Sequence, residues 1–164
     1  MDKLDGSENV ARVLKTAWVY DGEISPSAFS LRPHIRETYI SVLRELCDTF
    51  SNDLAEVVHR RSPVYYAKMN VGELRNLHVD TIEDDVYFDV KAVDNLKLLS
   101  HSGIFVYMNN IPLIGGEPFE SFELKRGMPA DSILMTIRET LSEFAKKSIV
   151  KWKSEVSNPK PSNS

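Results

Sequence analysis

The chain has 164 residues, 42% of them hydrophobic and 27% charged, with 20 basic against 24 acidic side chains and a formal net charge of −4. Those proportions describe one ordinary globular core and exclude a disordered, collagen-like or disulfide-stapled miniature fold. With no basic field to attract a phosphate backbone, nucleic acid is not an expected partner.

Residues 1–8 are polar and acidic and are expected to fray, leaving a single globular domain over 9–153 and a flexible tail over 154–164. The start lacks the apolar core of a signal peptide, and the longest apolar run, residues 104–108, is too short to span a bilayer. Together with Cys47, the single cysteine, which has no intramolecular partner for a disulfide, this predicts a cytoplasmic protein without membrane attachment.

The β-branched and aromatic content of residues 10–19 predicts a first strand, ended by Asp21-Gly22 and followed by a turn-rich loop over 21–34. Residues 35–50 carry a helical stripe and a strand-like segment together. The β-branched residues favour a strand near 38–43. Residues 52–61 predict a short helix, with Asp53 and Glu56 approximating a reciprocal cap and Leu54, Val57 and Val58 on one face.

Strands are predicted at 64–71 and 86–92, joined through an acidic turn over 80–85. A short helix is expected over 94–99, and the apolar strand 103–108 is expected to be central and covered on both faces. Residues 109–118 form a second loop, in which Gly115-Gly116 opens no helix and predicts a hairpin turn rather than a phosphate cradle. An edge strand is expected over 119–124. The last element is an amphipathic helix from Pro129 through about Trp152, with Leu134, Ile137, Leu141 and Phe144 on one stripe. The fold class is therefore α+β: a small, mostly antiparallel sheet covered on one face by the long C-terminal helix and the shorter 52–61 helix.

No nucleophile elbow, phosphate-binding glycine loop or metal-ligand spacing occurs, so neither cofactor nor metal is expected. The candidate chemistry lies in single residues. His101, at the mouth of the most apolar strand, is the candidate acid or base. Arg60 and Arg61, at the end of the 52–61 helix, offer planar donor forks for a phosphate or carboxylate, and Ser25 and Ser27 offer hydroxyls in the 21–34 loop. The leading expectation is a non-enzymatic binding or accessory module for a protein partner or a small anionic ligand, with a homodimer compatible. The alternative is a small enzyme acting on a nucleotide or other anionic metabolite, with His101 as acid or base and Arg60 and Arg61 on phosphate.

Asp21-Gly22-Glu23-Ile24-Ser25 with Ser27-Ala28-Phe29, Ile40-Ser41-Val42, Asn70-Val71-Gly72-Glu73-Leu74 and His101-Ser102-Gly103-Ile104 together resemble a pattern in small uncharacterised bacterial proteins. The pattern covers about two dozen positions within residues 21–104, and where it usually has an arginine after the Ala-Phe pair this chain has Ser30. The resemblance implies a bacterial, cytosolic α+β protein and carries no activity or catalytic residue with it.

Overall fold

Alternating apolar residues build the sheet, and the parity of that alternation decides which helix covers which face. The computed structural model describes residues 2–58, 64–80, 82–116 and 130–152. The main strands are β1 (Asn9–Leu14), β4 (Ile40–Arg44), β5 (Val64–Asn70), β6 (Val86–Ala92), β7 (His101–Met108) and β9 (Ile149–Trp152). They lie in the order β6-β7-β4-β1-β5-β9, every pair antiparallel. The short β8 (Ile111–Pro112) adds to β7, and β2 (Val19–Tyr20) and β3 (Glu23–Ile24) form a separate ribbon. The helices are α1 (Phe50–Val57), α2 (Val71–Arg75) and α3 (Ala130–Ala145).

The α+β class expected from the sequence is what the chain adopts, but the two longer helices do not share a face. Val10 and Leu14 of β1, Ile40 and Val42 of β4, and Ile104, Val106 and Met108 of β7 pack with Ile133, Ile137 and Leu141 of α3. Side chains one residue out of step point the other way: Leu43 of β4 and Val13 of β1 pack with Leu54 of α1 and the adjacent Val58. A period of two places successive residues on opposite faces, so each helix collects its own set.

Other boundaries also depart from expectation. The apolar run of the first strand ends at Leu14, and Thr16–Trp18 turns as a 3₁₀ segment, so the expected strand to residue 19 is broken. The final helix stops at Ala145; Ile149–Trp152, expected as its last turn, instead pairs with the outer edge of β5. The β-branched Ile149 and Val150 and the aromatic Trp152 suit a pleated edge better than a helix terminus. No helix forms over 94–99; the Asn95 Oδ1 there accepts from the backbone N–H of Lys97 and Leu98 and closes a side-chain turn. The expected edge strand at 119–124 and the tail from residue 154 lie outside the described residues, as does the end of the 52–61 helix beyond Val58. No helix among the described residues is long and apolar enough to cross a membrane.

The leader expected to fray is docked. Residue Leu4 is 4% exposed, its N–H donates to the Val90 carbonyl at 3.1 Å, and Ala92 N–H donates to the Asp2 carbonyl at 2.8 Å. The segment thus covers the free edge of β6, which would otherwise present an unpaired row of backbone groups. Two side chains lock it. The Glu8 carboxylate pairs with Arg44 of β4 through both oxygens, and Arg75 of α2 donates to the Leu4 carbonyl while pairing with Asp89. The acidic turn is tied down too: Asn109 Nδ2 donates to Asp84 at 2.9 Å.

Leu4→Ala is expected to lower unfolding free energy by about 2–5 kcal/mol, the usual cost of emptying a buried leucine site. The fully exposed Leu96→Ala control should fall within about 0.5 kcal/mol of wild type. Urea midpoints measure both, and an unaffected Leu4→Ala would mean that the leader does not contribute to the core.

Candidate functional site

A single arginine shapes the candidate site. Strand β1 pairs with β5 along all six of its residues but with β4 only at Val10↔Arg44 and Ala11↔Leu43. Beyond that point the ladder between β1 and β4 lapses, which leaves backbone carbonyls needing donors. Arg12 supplies them: its Nε donates to the Ala28 carbonyl at 3.0 Å and its Nη1 to the Ser41 carbonyl on β4 at 2.9 Å. The carbonyl of Ala28 belongs to a 3₁₀ turn, Pro26–Phe29, so one guanidinium fixes the loop to the sheet.

The gap opens into a cleft of about 610 Å³. Arg12, Ser27, Ser41, Tyr39, Trp18 and His101 are among the residues lining it. The Arg12 guanidinium lies 5.6 Å from the centre of the Trp18 ring, and Lys15 Nζ lies 5.0 Å from the same ring. Protein atoms enclose Arg12 on most sides while part of its surface stays open to the cleft. Burial pulls its guanidinium down to about 10, still protonated at neutral pH. Among the described residues no carboxylate lies within ion-pair distance of it. Glu37, which lines the same cleft, is engaged by Arg32 through bonds of 2.8 and 3.1 Å from the guanidinium and 3.0 Å from the backbone N–H.

In the same cleft the His101 Nε2 is 3.3 Å from Ser41 Oγ, the side chain of the residue whose carbonyl Arg12 holds. Burial pushes the imidazole below its ordinary value, against a smaller opposing effect of the Val93 backbone, and Nδ1 is buried without a bond of good geometry. Tyr39 packs edge-on to His101 at 5.7 Å and against Phe105 at 5.5 Å. It fits there because residue 103 is glycine: a Cβ at that position would come within 2.7 Å of the Tyr39 side chain.

Two further devices hold the walls. The buried Asp53 of α1 accepts from Ser100 N at 2.9 Å, Ser100 Oγ at 2.6 Å and Thr49 Oγ1 at 2.8 Å. These bonds anchor the end of the segment carrying Asn95 and Leu98, which line the cleft. They also displace the reciprocal cap expected between Asp53 and Glu56. The rim is buttressed by Gly115, whose N–H donates to the Glu37 carbonyl at 2.8 Å and whose absent Cβ would sit 2.5 Å from the Arg32 carbonyl oxygen. The pair Gly115-Gly116 therefore serves close backbone approach, while the tight hairpin lies at Asn109-Asn110, both at positive φ.

Of the residues singled out in the sequence, His101 and Ser27 line the cleft together. The Ser25 hydroxyl accepts from Ser27 N–H at 3.3 Å and caps the 3₁₀ turn, and it is not among the cleft-lining residues. Arg60 and Arg61 lie outside the described residues. The guanidinium that does reach the cleft, Arg12, escaped notice because it sits inside an apolar strand. Its signal was a lone cation at the middle of Val10-Ala11-Arg12-Val13-Leu14, where only a partner-bearing charge is tolerated. Compared with family models, curated proteins and solved structures, the chain finds no match.

Burial works to raise the Asp53 carboxyl, and the bonds from Ser100 and Thr49 outweigh it, so the net value falls below the ordinary 3.8. A lowered folded value stabilises the fold above 3.8 and loses that contribution as pH falls through it. The stability gap between wild type and Asp53→Asn is therefore expected to be full at neutral pH and to shrink in acid. Urea titrations across that range give the comparison, and a gap independent of pH would contradict the role given to the carboxylate.

Proposed function

We propose that the protein is a binding module for a small anionic ligand, taken up in the cleft with Arg12 as its anchor. The observation that carries this reading is a guanidinium enclosed in a cavity wall, bonded only to two backbone carbonyls and lacking a carboxylate partner among the described residues. Removing a charge from water costs several kcal/mol unless an opposite charge answers it. Two of the five guanidinium N–H groups are taken by carbonyls, which leaves donors for a bound anion. Ser27 and Ser30, which also line the cleft, add hydroxyls, and the pair Arg32–Glu37 fixes the rim without competing for the anion.

A second reading, a small hydrolytic enzyme, has one observation in its favour: a histidine and a hydroxyl 3.3 Å apart in the same cleft. It is the weaker, because no carboxylate among the described residues bonds the His101 ring to orient it for general-base work. The version with a nucleotide held by Arg60 and Arg61 rests on residues outside the described ones. The cytoplasmic setting belongs to the same proposal, supported by the lone Cys47, whose Sγ lies 3.2 Å from the Thr49 hydroxyl.

Acetate and inorganic phosphate are expected to raise the melting temperature of the wild type with concentration, and chloride at matched ionic strength is not. Arg12→Gln should weaken that binding about 10- to 100-fold, the size of a lost charge-assisted pair of bonds. Equal melting shifts in the variant and the wild type would refute the anchor.

A further inference from the structure

We infer that the natural ligand is an amphiphilic carboxylate, with its head on Arg12 and an alkyl or aryl body along the apolar wall; this rests on the anion-binding reading above. The first ground is the distribution of lining residues. Strand alternation sends Arg12 to the α3 face and Val13 to the α1 face, and both border the same cleft. Val13, Leu43 and Val57, which pack in one cluster, all line the cleft, as do Leu98 and Tyr39.

The second ground is Leu98. It is half-buried, and unlike Val13 and Val57 it packs into neither core cluster. A leucine that lines a cavity without joining the packed interior presents apolar surface to the cavity's occupant. Its position is held rather than accidental, because Asn95 bonds its N–H at 3.1 Å and Asp53 anchors the neighbouring Ser100.

The third ground is size and charge. A cavity of about 610 Å³ falls in the range that holds drug-sized organic molecules, far larger than an inorganic anion needs. Arg32 is neutralised by Glu37, which also borders the cleft, and Lys15, which lines it too, is exposed to solvent, so Arg12 is the enclosed cation that a single anionic head would answer. With Nε and Nη1 each giving one bond to a carbonyl, Nη2 and the second N–H of Nη1 leave Arg12 donors for a carboxylate.

Titration of the wild-type chain with acetate, butanoate, hexanoate and octanoate, followed by amide chemical shifts, tests the inference. Affinity is expected to rise about two- to fourfold per added methylene, the value of burying each one. Leu98→Ser should flatten that rise, and an unchanged rise in the variant would contradict the apolar wall. Acetate and octanoate binding equally well would overturn the amphiphile and leave the anion site standing. Octanol binding as tightly as octanoate would overturn the anion site as well, and so would failure of all four acids to bind.

Discussion

The structure turns on the bonds that the Arg12 guanidinium makes across the gap between β1 and β4. Splayed strands leave carbonyls without donors, and a buried carbonyl left unpaired costs about 1–3 kcal/mol. Arg12 removes that penalty at Ser41 and Ala28 and so lets the ladder end after two residue pairs instead of closing along its length. The cost is a cation held away from bulk water. The fold and the proposed function meet at this point, because the side chain that bridges the gap is also the enclosed cation proposed to hold the anion.

Around this opening the protein is held firmly. Glu8 and Arg44 secure β4 to the leader on the paired side of the split, and Asp53 anchors Ser100 at the end of one wall. Gly103 admits Tyr39, and Gly115 admits the Arg32 carbonyl at the rim. Each of these is a short-range contact between elements far apart in sequence, and together they fix the lining before any ligand arrives. Such preorganisation lowers the ordering penalty of binding, as the proposed anion-binding role requires.

Much of the sheet was legible because its strands carry β-branched residues and alternate in burial: segments near 38–43, 64–71, 86–92 and 103–108 each correspond to an observed strand. What the sequence hid were features decided by distant partners. The stripe of α3 continues numerically into Ile149–Trp152, yet the free edge of β5 claims those residues. Apolar content extends β1 to residue 19, but Trp18 turns back over Arg12. The docked leader was unreadable for the same reason, since Leu4 has no local periodicity and is buried by β6. For the site, His101 and Ser27 were visible as isolated polar residues near a turn and a strand mouth. Arg12 and Ser41 were not, because each is one polar letter within a strand, and only the lapse in pairing gives them a shared cavity. Glycine 103 inside an apolar run was the remaining signal, a strand position reserved for a close neighbour.

The most direct test observes the side-chain Nε–Hε resonance of Arg12 by nitrogen-15 NMR in the free protein and on addition of octanoate. A guanidinium held by the Ala28 carbonyl predicts a resolved signal, protected from solvent exchange, that shifts on titration while the Arg138 signal on α3 does not. An Arg12 signal that exchanges rapidly with water and is indifferent to the acid would contradict both the wedge and the site built on it.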